Sequence, residues 1–192
     1  MELEPYEVIE NPAVRQEFRF LERGTGEDGD YFVCEIRYGT DTKHFPEHVH
    51  PRQEKTFKVL EGELTVVMGG DERILQAGEE ITIPEGTPHY IRTSTDSETR
   101  VLYHARPALA QDAIFRTMAA LAQDGKTNDE GIPGMLQLAV IMDGYSGNVY
   151  LTSPPVVVQK ALFKILAPIG RLLGYKADYS AESSDSTLLS RI

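Results

Sequence analysis

Between residues 31 and 106 the chain is cut about every eight to twelve residues by a turn signal, and the pieces between the cuts are rich in β-branched and aromatic residues. Residues 31–38, Tyr-Phe-Val-Cys-Glu-Ile-Arg-Tyr, form one such piece. Strands are also predicted at 55–60, 63–68, 72–76, 78–84, 90–93 and 99–105, with two earlier ones at 6–10 and 17–21. Gly69-Gly70 between two of these pieces is a hairpin signal. Many short strands with frequent turns bury their apolar faces only as a sandwich or a barrel.

After Arg106-Pro107 the period changes. Residues 108–123 are Ala-rich, with Ala110, Ile114, Met118, Leu121 and Ala122 spaced as one helix face. A short helix is predicted over 135–142. Ser153-Pro154-Pro155 reads as a helix start with Ser153 as N-cap, opening a helix over 156–173 that Gly174 stops. The chain divides into a β-barrel (1–106), a helical extension packed on the barrel or on a twin subunit (107–177), and a Ser- and Asp-rich tail (178–192) expected to be mobile.

Three of the five histidines form a constellation. His48 and His50 lie two apart, so in a strand they share a face. His89, on a neighbouring strand, can close a metal site with them, because neutral imidazole is the commonest metal ligand. The chain around His89 is built to aim it: Gly78 turns into the strand, Pro84 ends it, and Gly86 permits a tight reversal.

Gly78, Pro84, Gly86 and His89 resemble the second signature of the cupin superfamily, with Thr93 where the family has Asn. Gly39, His48, His50, Glu54 and Gly62 resemble the first, with a longer loop between Gly39 and His48. The resemblance spans about residues 30–106. It implies a mainly β fold, the cupin double-stranded β-helix (jelly-roll) barrel, here followed by a C-terminal α-helical extension. It also implies that His48, His50 and His89 hold one divalent transition metal inside the barrel: iron, manganese, nickel, copper or zinc.

The fourth ligand is where the sequence departs from the family. Counting back from Gly62, Lys55 stands where the family carries Glu; Glu54 fits only the shorter count from His50. If Phe57 and Val59 face inward, Lys55 and Gln53 share their face and Glu54 points away, unless a bulge shifts the register. Glu54 is the expected fourth ligand and Gln53 the second choice. A charged Lys55 would repel a dication by about 8 kcal/mol at about 4 Å and an effective dielectric constant near 20. It avoids this by swinging out, by pairing with Glu54 or Glu61, or by losing its proton, and a neutral lysine can act as acid, base or nucleophile. Lys55 and Tyr38 are the candidate catalytic residues. Tyr31, Arg37, Tyr90, Arg92, Tyr103 and His104 lie on predicted strands, where alternation turns about half inward. His44, in the loop, is expected to be solvated, and Cys34 to be a small buried residue.

A net charge of −11 argues against nucleic acid and anionic lipid as partners. One cysteine leaves no intramolecular disulfide, and the acidic first residues do not read as a secretory signal, so the expected location is cytoplasmic. Lys160 and Lys164 interrupt the apolar run of the last helix, so a membrane span is not expected. The reading is a metal enzyme acting on a small organic molecule, with dioxygenase-type oxidation favoured. An isomerase or cyclase moving a proton through Lys55 or a histidine is one alternative; a non-catalytic small-ligand binder or sensor is another. A homodimer is expected.

Overall fold

The computed structural model describes residues 4–27, 29–94 and 96–179. Its strands are β1 (Glu7–Asn11), β2 (Gln16–Gly26), β3 (Gly29–Tyr38), β4 (His48–Val49), β5 (Glu54–Glu61), β6 (Glu63–Met68), β7 (Asp71–Gln76), β8 (Glu80–Ile83), β9 (His89–Thr93), β10 (Thr99–Arg106) and β11 (Tyr150–Leu151). The helices are α1 (Gln111–Gln123), α2 (Met135–Gly144) and α3 (Val156–Leu172). Two antiparallel sheets face each other, one ordered β1-β2-β3-β10-β5-β8 and the other β11-β4-β9-β6-β7. This is the expected mainly β barrel with helices at its C-terminal side.

Alternation builds the core. Along β5, Lys55, Phe57 and Val59 are buried while Glu54, Lys58 and Leu60 are exposed. β10 repeats the pattern, with Thr99, Val101, Tyr103 and Ala105 turned inward. These side chains meet Phe18, Phe20, Phe32, Cys34 and Ile36 from β2 and β3, and Leu64, Val66, Ile81 and Ile83 from β6 and β8. Cys34 is buried, as expected. Gly69-Gly70 makes the β6–β7 turn, both residues at positive φ.

The helical extension is tied to the barrel at three places. α1 packs on β1, where Arg116 donates to Glu7 at 2.7 Å and to Asp112 at 2.8 Å. Phe115 of α1 stacks on Phe18 of β2, ring centroids 4.4 Å apart. β11 adds a strand to the second sheet by pairing with β4. Sequence periodicity gave no sign of β11, because two residues carry no period. Ser153 does not cap α3: Pro155 stands at the N-cap, and no side chain caps the helix. The expected mobile tail lies outside the described residues beyond Tyr179. Tyr179 itself is docked, its hydroxyl donating to Asp124 at 2.5 Å.

Candidate metal centre

β4, β9 and the residue following β4 bring the three histidines together. His48 pairs directly with His89 across the β4–β9 ladder. His50 continues the chain past β4, on the same face as His48 by the two-residue period. Gly86, at φ 72°, turns the chain before His89, and its N–H donates to the His50 carbonyl at 2.8 Å. That bond fixes the His89 turn to the His48–His50 strand. The imidazole nitrogens of the three residues lie within 4.8 Å of one another.

Each ring is held by its Nδ1. His48 Nδ1 lies 2.8 Å from the Pro46 carbonyl, His50 Nδ1 2.6 Å from the Asn148 carbonyl, and His89 Nδ1 2.8 Å from the Thr87 carbonyl. A carbonyl only accepts, so each Nδ1 carries the proton and each Nε2 keeps its lone pair. Backbone carbonyls that fix the tautomer in this way are the usual outer support of metal-bound histidine. Burial holds all three imidazoles neutral: it lowers His48 and His50 well below the ordinary histidine value, Lys55 adding to the effect, and brings His89 to about 4. His89 Nε2 is buried with no hydrogen-bond partner among the described residues. A donor set of three neutral imidazoles, one with an orphaned inward nitrogen, fits a divalent transition metal. Nitrogens bound tetrahedrally to one ion at about 2.0–2.1 Å stand about 3.4 Å apart, so a set spread over as much as 4.8 Å closes on an ion by drawing its rings together.

The remaining predicted residues fall into place by parity. Glu54 is exposed and stands opposite Arg106 in the β5–β10 ladder, outside the histidine cluster. No bulge interrupts β5 at that point, so the expectation that Glu54 completes the ligand set is corrected. Gln53 is buried, but its amide nitrogen donates to the carbonyls of Pro107 at 2.8 Å and Ala108 at 3.1 Å. It anchors the start of the helical extension. Lys55 points inward, with Nζ 2.5 Å from His50 Nε2 and 5.3 Å from the centre of the Tyr103 ring. Burial pushes the Lys55 ammonium well below its ordinary value. Its Nζ donates to the His50 lone pair that a metal would otherwise take.

A cavity of about 120 Å³ opens beside the cluster. Phe18, Ile36, Phe57, Ile91 and Phe115 give it apolar walls; Tyr38, Tyr103, His44, His48, Lys55 and His89 give it polar points. Tyr38 is buried there, and burial raises its phenol far above the ordinary value. The Tyr103 hydroxyl is buried without a partner among the described residues. Against the expectation of a solvated loop residue, His44 is partly buried: its Nε2 accepts the Thr93 backbone N–H at 3.1 Å and its ring lies 5.6 Å from that of Tyr38. Thr93 is the residue at the family's Asn position, so the departure from the motif sits at this contact. Of the weaker candidates, Arg37 pairs with Glu35 at 2.7 Å and Arg92 with Glu72, both away from the cavity. Tyr31 bonds Glu22 and faces His104, 5.8 Å between ring centres. Phe115 and the Asn148 carbonyl belong to the site but were not legible beforehand, since both come from the extension.

Residues 32–104 match the family described as the cupin domain. With the two facing sheets and the three histidines at the signature positions, this places the barrel in the cupin superfamily. The chain is 33% identical over 75 residues to quercetin 2,3-dioxygenase of Bacillus subtilis, covering 39% of this chain and 22% of that one. It is 27% identical over 154 residues to an oxidoreductase of Arthrobotrys oligospora, covering 73% of this chain and 60% of that one. The chain thus spans less than two thirds of the curated relatives it matches. An RmlC-like cupin from Shewanella frigidimarina aligns at a TM-score of 0.46 and 19% identity, over 55% of this chain and 87% of that one.

Proposed function

We propose that this chain is a mononuclear metal enzyme that carries out a dioxygenase-type oxidation of a small, largely apolar organic molecule. The observation that carries the reading is the set of three Nδ1–carbonyl hydrogen bonds, which turns the Nε2 atoms of His48, His50 and His89 inward beside an apolar cavity. Two relatives, a quercetin 2,3-dioxygenase and an oxidoreductase, support the same class. When bound, the ion supplies open coordination positions at which substrate and dioxygen are brought together.

The chain's own residues do the rest. Phe18, Phe57 and Phe115 hold the apolar body of the substrate and exclude water. A cavity of about 120 Å³ takes a fragment near the size of a single ring, since an engineered cavity of about 150 Å³ binds benzene. The Tyr103 hydroxyl, unpartnered now, donates to a substrate oxygen. The neutral Lys55 amine, released from His50 when that imidazole binds metal, accepts a proton from an acidic substrate hydroxyl and returns it later. No carboxylate is needed for that step.

Metal content by elemental mass spectrometry, for wild type and for His48→Ala/His89→Ala, tests the reading. Near-stoichiometric metal in wild type and none in the double variant is expected, followed by oxygen consumption with small enols or phenols. A protein that stays metal-free after reconstitution with iron, manganese, nickel, copper and zinc ends it. A second reading rests on the Lys55 Nζ–His50 Nε2 contact of 2.5 Å: a metal-free pair that moves a proton in an isomerase or cyclase. That reading predicts turnover that survives chelation and is lost in Lys55→Met.

A further inference from the structure

Helix α3 has three faces. Phe163, Ala167 and Gly170 are buried on one of them. A Cβ at Gly170 would lie 2.6 Å from Val140 Cγ2 and 2.9 Å from the Leu136 carbonyl, so this face is pressed against α2 and the helix cannot roll. Lys160, Lys164 and Arg171 form a second, narrow stripe. The third face is apolar and open: at about 100° per residue it spans about 160° of the helix. Val157 is 78% exposed, Val158 51%, Ile165 66%, Ile169 46%, Leu172 89% and Leu173 65%.

We propose that this face of α3 is the contact surface for a second copy of the chain, giving a helix-paired homodimer. The spacing supports it. Val158, Leu162, Ile165, Ile169 and Leu172 repeat at intervals of four and three, the seam that packs against another helix of the same period. The area supports it too. At about 120 Å² for a fully exposed aliphatic side chain, the six residues offer about 500 Å² per copy. A pair that covered all six would bury about 1,000 Å², the lower limit for a specific interface. The basic stripe does not direct the helix to a lipid surface. Lys160 lies over the Tyr150 ring at 5.1 Å and Arg171 pairs with Asp143 at 2.7 Å, so two of its three cations are engaged within the chain. The net charge of −11 also opposes an anionic bilayer.

Light scattering on the full chain at about 100 µM is the test, with Ile165→Glu/Leu172→Glu as the variant and circular dichroism to check its fold. Wild type is expected at twice the chain mass of 21.4 kDa and the variant at that mass. Ile165→Cys keeps the test decisive should the charged variant misfold. Ile165 is the midpoint of the seam and Cys34 is buried, so a short bis-maleimide should join two copies through position 165. It should not do so in Lys58→Cys, which lies on the exposed side of β5. A monomeric wild type, a variant that stays dimeric, or equal cross-linking at 165 and 58 overturns the proposal. So does a monomer that sediments with vesicles containing anionic lipid through this face. Metal content plays no part in the readout, so the enzyme reading stands or falls separately.

Discussion

Lys55 carries more of the site's behaviour than its single position suggests. It is fully inside the barrel, its Nζ touches His50, and no carboxylate joins it in the cavity wall. An unfolded chain protonates it below about 10.5, while burial keeps the folded value well beneath that. Stability from this residue is therefore full at alkaline pH and falls as pH drops toward the folded value. Lys55→Met removes that cost, and we expect the neutral-pH melting temperature to rise, by a stability gain of about 1–3 kcal/mol. The same variant frees the His50 lone pair, so metal should bind more tightly, read by competition with a fluorescent chelator. An unchanged melting temperature would mean that the amine reaches solvent. His44 titrates in the other window. Burial holds it at about 4, against an ordinary value of 6.5. The unfolded chain binds the proton first, so stability is intact above about 6.5 and is lost as pH falls through about 4. Melting curves from pH 7 to pH 4 should flatten in His44→Phe, and an unaltered slope would clear His44 of that role.

At the scale of elements, the helical extension is part of the candidate metal centre. Gln159 of α3 is buried between two segments: its amide donates to the Leu151 carbonyl at 2.7 Å and the Pro154 carbonyl at 2.5 Å, and accepts the Leu151 N–H at 3.2 Å. Leu151 pairs with His48 in the β11–β4 ladder, and the loop just before β11 supplies the Asn148 carbonyl that orients His50. One side chain thus links α3 to the strand paired with His48, and through that strand to the loop that orients His50. Gln159→Leu keeps the volume and removes the hydrogen bonds. Its expected cost is roughly 1–3 kcal/mol from the stranded backbone groups. Metal affinity should also fall roughly tenfold, as when an outer support of a metal ligand is removed. Denaturant melts and metal titration check the two parts. A destabilised protein with wild-type affinity would show that the histidines hold their own geometry.

For the whole molecule, charge and assembly act against each other. Each copy carries −11, and two copies brought together by α3 repel. Salt shortens the reach of that repulsion from about 30 Å at 0.01 M to about 8 Å at 0.15 M. Association through an aliphatic seam should therefore strengthen with added sodium chloride, by several-fold between about 0.05 M and about 0.5 M, in sedimentation equilibrium. Weakening with salt would point to an ionic interface instead. Among the described residues no helix is long and apolar enough to cross a membrane, in line with Lys160 and Lys164 interrupting α3.

Most of the strands, the three helices and the three histidines were legible in the chain itself, because period, turn residues and motif spacing are local properties. Along β5 alternation offered Lys55 as the inward partner of Phe57 and Val59 but left open a bulge that would turn Glu54 inward; the unbroken register of β5 at that point decides for Lys55. Only the tertiary structure decided what Lys55 meets, since its partner His50 lies just past the end of β4 and the cavity beside them is lined by Phe115 from α1. Only it revealed β11, a strand of two residues whose partner lies about a hundred positions away. Solvation of His44 was misjudged for the same reason: a loop residue is buried by whatever folds over it, and no local pattern records that.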